Sequence, residues 1–205
     1  IASKAEEEEK MTRAENLLLR AAELDNRGLE SRYYLVMMYD RKGDKENKYK
    51  YLKEAVAINP NRMDFLKQAG DSAKEFGDIP ESMQYYERMS QLFERFLSRD
   101  NDDIRLLMQF GDLSLWETRK FNLAVDAYSR AAEAAEKDDS FLAFKIESEI
   151  AVATAYYMMA DHEKALEIFK KHEQFVLTRF NRSIPSLILT FANNDNWERA
   201  VEEVD

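Results

Sequence analysis

His162 and His172 are the chain's only imidazoles, and they stand ten residues apart. That spacing does not bring them to one place on a single helix, so they form no pair for proton transfer or metal binding. His172 falls at a small-residue packing position and reads as structural. The carboxylate pairs Asp102-Asp103 and Asp138-Asp139 fall at loops and helix starts, where caps and solvated turns account for them better than acid–base work. There is no cysteine, no phosphate-cradling glycine loop and no nucleophile elbow. No cofactor or metal is expected, and the chain does not read as an enzyme. Trp116, Tyr157 and Met158 suggest a different kind of chemistry. Helical geometry points them away from a paired-helix interior, and Trp, Tyr and Met are residues of recognition by contact.

Elements that could position such residues are helical. The 205 residues include only five Gly and three Pro, and 34% are charged. Few positions would interrupt a hydrogen-bond ladder, and the charge favours an elongated, surface-rich array over a compact globule. A net charge of −10 argues against binding to nucleic-acid backbones, which needs clustered cations, and against anionic membrane surfaces. No apolar run approaches the roughly 20 residues needed to span a bilayer. Ile1–Lys10 is acidic and lacks the pattern of a targeting peptide, so the compartment stays open. Beginning on Ile, the chain reads as a piece of a longer one.

The first 25 residues open on Glu6–Glu9, a solvated helix start. They continue with Ala14, Leu17, Leu18, Ala21, Ala22 and Leu24 on one predicted face. Gly28 suits a left-handed helix end. Leu35, Val36 and Tyr39 then share a face, and Gly43-Asp44 breaks that helix. Leu52 and Ala55 carry the next helix to Asn59-Pro60. Leu66, Ala69, Gly70 and Ala73 repeat the first pattern, Gly77-Asp78 repeats the break, and Asp78-Ile79-Pro80-Glu81 makes a well-signalled helix start. Leu35 to Ala69 is 34 residues, as is Gly43 to Gly77. The loop and the buried face recur together.

A 34-residue unit with small residues at these positions resembles the tetratricopeptide repeat, with its W-x2-L-G-x2-Y, A-x3-F and Pro pattern. Arg32, Leu35, Val36 and Tyr39, then Lys48, Leu52, Ala55 and Pro60, match one copy. Leu66, Ala69, Gly70 and Ala73, then Ser82, Tyr86 and Met89, match the next, whose second helix runs on through Leu92, Phe93, Phe96 and Leu97. Leu107, Phe110 and Gly111 precede Ala124, Tyr128 and Ala131, with one extra residue assigned to the turn near Arg119-Lys120. A further copy has a long first helix from about Ser140, matching through Val152, Ala153 and Tyr156, then Ala165, Phe169 and His172. There Ala160-Asp161 replaces Gly-Asp. Ile184, Leu187, Ile188 and Phe191, then Ala200 and Val204, begin a last copy, and Ala14, Leu18 and Ala21 match a lone second helix at the front.

The resemblance implies an all-α, right-handed α-solenoid of antiparallel helix hairpins. It would be one repeat domain over residues 1–205, with five to six repeats, the first and last incomplete. It implies a non-catalytic protein-interaction scaffold holding a partner segment with hydrophobic anchors on a concave face lined by first helices. Carried over by register, that face includes Tyr33, Met37, Lys67 and Asp71, then Met108, Asp112, Leu115 and Trp116, then Ile150, Thr154, Tyr157 and Met158. The early part is charged and mixed, the later part apolar. The alternative is that neighbouring repeats or a terminal helix cover these residues. The basic, amide-rich clamp that some members use on chaperone tails has no match here. Two other readings stay open: homo-oligomers formed through open ends at Ala200, Val201 and Val204, and a regulatory domain of a larger enzyme.

Overall fold

The computed structural model describes residues 4–178. The predicted last copy, with Ile184, Leu187, Phe191, Ala200 and Val204, lies outside the described residues. Those described are helical, with no strand among them. A first helix, α1 (Lys4–Leu24), precedes paired helices: α2 (Leu29–Lys42) with α3 (Lys45–Ile58), and α4 (Met63–Glu75) with α5 (Ile79–Leu97). Then α6 (Ile104–Asp112), prolonged by a π-helical turn over Leu113–Glu117, pairs with α7 (Phe121–Ala135). A 3-10 turn at Asp139–Phe141 enters α8 (Leu142–Met158), which pairs with α9 (His162–Lys171), and α10 (Glu173–Thr178) follows. The chain forms two compact units, Ile1–Leu92 and Phe93–Asp205.

In the first unit the breaks fall where the sequence places them. Gly43 has φ +70° and donates its N–H to the Asp40 carbonyl. Asp44 then caps α3 by accepting the Asn47 N–H at 3.0 Å. Gly77 takes φ +78°, and Asp78 accepts the Glu81 N–H at 3.0 Å. The Glu81 carboxylate accepts hydrogen bonds from the Tyr49 hydroxyl at 2.6 Å and the Tyr85 hydroxyl at 3.1 Å. Leu35, Leu52, Ala55, Phe65, Leu66, Ala69 and Ala73 are buried, each large one contributing roughly 1.5–3 kcal/mol. Arg32 is buried too, with its guanidinium satisfied by the Asp25 and Gly28 carbonyls and by Glu54 at 3.2 Å. It thereby ties the α1–α2 turn to α3.

The second unit centres on two buried clusters. Leu115, Ala124, Tyr128, Ala151, Val152 and Ala155 form one; Ile150, Ala153, Ala165, Leu166 and Phe169 form the other. Asp103 caps α6 through the Leu106 N–H, and Asp161 caps α9 through the Lys164 N–H. Phe93 stacks on Phe110 with centroids 5.5 Å apart.

Three expectations are corrected. Gly28 is not a left-handed helix end: it has φ −68° and is the N-cap residue of α2. In α1 it is Ala22, not Ala21, that is buried. Leu17 and Leu24 stay 62% and 80% exposed, because among the described residues α2 is the main neighbour of this helix and one neighbour cannot cover so wide an apolar face. The extra residue near Arg119-Lys120 lies instead within the π-helical turn, where the Thr118 N–H reaches back to the Leu113 carbonyl at 3.0 Å. The turn itself keeps the common spacing: Arg119 has φ +53° and stands five residues before Ala124, as Gly77 stands before Ser82.

Candidate functional site

The interior of each hairpin determines which side chains are left for its outer face. At Gly70 an added Cβ would lie 2.6 Å from the Tyr86 ring, and at Gly111 it would lie 2.4 Å from the Tyr128 ring. Both glycines exist to admit a tyrosine from the second helix. The two hydroxyls then donate to the next residue of the first helix: Tyr86 to Asp71 and Tyr128 to Asp112, each at 2.7 Å. Burial pushes the Tyr128 phenol upward, the Asp112 charge and hydrogen bond adding to it. Asp112 itself is raised by desolvation, with the Tyr128 hydrogen bond pulling the other way. Asp71 also pairs with Lys67 at 2.6 Å.

In the first unit, Tyr33 is half-buried, 6.1 Å from the Phe65 ring, and lies under the Arg62 guanidinium at 5.4 Å. Met37 is exposed, Lys67 half-buried and Asp71 exposed. The last two are bonded to each other.

In the second unit the twelve-residue expectation divides. Trp116, 40% exposed, sits on the π-helical turn, and Met158 is exposed at the end of α8. Met108 is half-buried against the Leu115 cluster, with the Ser148 hydroxyl 3.0 Å from its sulfur. Tyr157 is half-buried, its ring edge-on to His162 at 5.2 Å. Asp112 is exposed as a residue. Leu115, Ile150 and Thr154, however, are buried and have no surface to offer. The extra residue of the π-turn advances the phase of the helix, turning Leu115 inward and giving its outward place to Trp116. Ile150 belongs to the buried cluster with Ala153, Ala165, Leu166 and Phe169, against which Phe175 of α10 also packs. Thr154 donates its hydroxyl to the Ile150 carbonyl one turn back, at 3.0 Å.

The sequence reading missed an apolar groove between α1 and α2. Leu17, Leu18, Tyr34, Met37 and Met38 line it, with a volume of about 740 Å³. The available signal was an excess: α1 and α2 each carry more large apolar residues than one shared seam can cover. His172 lies with one ring nitrogen 2.5 Å from Glu149, whose carboxylate also accepts from Lys171 at 2.7 Å. Burial raises the Glu149 pKa, but these two partners outweigh it and hold the carboxyl below its ordinary value.

No family model matches the sequence, and no curated protein matches it significantly. Solved structures do. The crystal structure of YrrB, described as a TPR protein with an unusual peptide-binding site, superposes with a TM-score of 0.57 at 15% identity, over 92% of this chain and 86% of that one. MamA of AMB-1 gives 0.51 at 17% identity, over 85% and 87%. MamA from Desulfovibrio magneticus RS-1 gives 0.50 at 14% identity, over 83% and 88%. At these identities the likeness is one of fold, and the fold is the all-α, TPR-type arrangement of helix hairpins.

Proposed function

We propose that this chain is a non-catalytic protein-interaction scaffold that holds a partner segment on its first helices, mainly through the apolar later repeats. The observation that carries this reading is Trp116: a large indole left exposed on a π-helical turn, with the residue before it buried in the core. A rigidly mounted aromatic loses little freedom on binding and suits an anchor role. Met158 and the half-buried Met108 and Tyr157 are adaptable apolar contacts of the same unit. The ionisable groups that could have suggested chemistry have structural tasks. Asp44, Asp78, Asp103, Asp138 and Asp161 accept backbone N–H groups at helix starts, and His172 is engaged by Glu149. YrrB's description as a peptide binder is in keeping with this reading.

The test is Trp116→Ala combined with Tyr157→Ala in the whole chain, used as bait against a lysate. Affinity for a partner captured by the wild type should fall by at least roughly 30-fold, the loss of one hot-spot anchor, while the circular dichroism spectrum is unchanged. Undiminished capture by a fully helical double variant overturns the assignment.

A further inference from the structure

We propose that the α1–α2 groove is a second docking site, for a partner helix that carries apolar anchors and ends in carboxylates. Its floor is apolar: Ala14 and Leu18 of α1 and Met38 of α2 line it half-buried, and Leu17, Tyr34 and Met37 line it exposed. Tyr34, 54% exposed, makes an edge contact only with Tyr33 among the described aromatic rings. Between Lys10 and Leu18 the groove spans roughly 12 Å, about two turns of a docked helix.

Charge chooses the occupant. The charged residues lining the groove are Lys10 and Arg41, both cations. Because α1 and α2 run antiparallel, with Glu15 of α1 bonded to Tyr39 and Lys42 of α2, the start of α1 lies beside the end of α2. The two cations therefore share one end of the groove. Neighbouring cations are engaged: Lys42 by Glu15 and Lys48 by Asp40. Lys10 and Arg41 have no ion-pair partner among the described residues, although the chain holds 40 acidic residues against 30 basic ones. A segment that places leucine-type anchors on the floor and carboxylates at this end satisfies both features.

The probe is a fluorescein-labelled amphipathic peptide of about four helical turns, with leucines on one face and glutamates at one end. It is paired with a version carrying lysines in place of the glutamates. Fluorescence polarisation with the whole chain should show the glutamate peptide binding at least roughly tenfold tighter. Lys10→Glu with Arg41→Glu should reverse that preference, and Leu17→Asp, at an already exposed position, should abolish binding of both peptides. Trp116→Ala with Tyr157→Ala should leave it untouched, which separates this site from the one proposed above. Equal affinity for the two peptides, no binding of either, or binding indifferent to Leu17→Asp overturns the proposal. So does light scattering that shows a dimer dissociated by Leu17→Asp, because the occupant would then be a second copy.

Discussion

Two positions in each hairpin trade volume. Gly70 faces Tyr86 and Gly111 faces Tyr128, while Ala153 shares a cluster with Phe169, and Val36 by register meets Leu52. The smaller the residue on the first helix, the larger its counterpart on the second. Where the counterpart is tyrosine, the residue after the glycine is aspartate; where it is phenylalanine or leucine, that residue is Thr154 or Met37. The hydroxyl–carboxylate bond thus fixes a ring that the glycine admits. Gly111→Ala should cost roughly 1–3 kcal/mol by overpacking, and Tyr128→Phe about 1 kcal/mol for the lost hydrogen bond. An untethered ring can slide away from the new methyl, and Phe169, which has no hydroxyl to tether it, shares its cluster with Ala153. The double variant should therefore be more stable than the sum of the two losses by at least about 0.5 kcal/mol. Urea midpoints for the four proteins of the cycle decide this, and simple additivity defeats the idea. This bond also explains what a sequence could convey about the surface. Register alone makes Asp71 and Asp112 outward residues of first helices, and both are exposed, but it cannot reveal that each serves a tyrosine from behind. Nor can it follow the phase change that buries Leu115.

The helix pairs are joined through one left-handed residue, filled by Gly43, Gly77, Arg119 and Ala160. Each stands five residues before the small or polar position that opens the packed face of the second helix: Lys48, Ser82, Ala124 and Ala165. This invariance is why the hairpins were legible. Loop and buried face recur in step, and a deviation in one must be absorbed elsewhere. In the α6–α7 pair it is absorbed inside the first helix as a π-turn, because inserting a residue into the tight turn would have disturbed its left-handed geometry. The packing of α1 was less legible: a helix with few neighbours has the same pattern as a fully packed one, and its neighbours cannot be counted from its own residues. At Ala160 the left-handed conformation strains a Cβ by roughly 1–2 kcal/mol, partly offset by the entropy glycine would lose. Ala160→Gly should therefore raise stability by about 0.5–1 kcal/mol, and Gly77→Ala should lower it by a similar amount. Thermal melts of the two variants moving in the same direction would contradict the shared role of the turn.

At the scale of the whole molecule, acid acts in two opposing ways. Protonating carboxylates relieves the self-repulsion of a chain with net charge −10, but it also breaks the bonds that hold neighbouring helices together. Glu15 is held below its ordinary 4.5 by the Lys42 and Tyr39 hydrogen bonds that link α1 to α2. Glu149 is held below the same value by Lys171 and His172, against its burial, and links α8 to α9. For such depressed groups the contribution to stability is complete above pH 4.5 and is lost as pH falls through the folded-state value. Asp112 works the other way. Its folded-state pKa lies above its ordinary 3.8, so protonation between those two values favours the folded state as pH falls. With two helix-linking carboxylates depressed and one raised, the local losses should outweigh this gain below pH 4.5. The relief of repulsion is spread over exposed charges that salt already screens. Stability should then decline from about pH 4.5 downward, and Glu149→Gln isolates one cause. The gap in urea midpoint between wild type and Glu149→Gln should be widest above that pH and should close toward about pH 3, because the wild-type carboxylate becomes as neutral as the amide. A gap that stays constant over this range would show that Glu149 acts through packing alone.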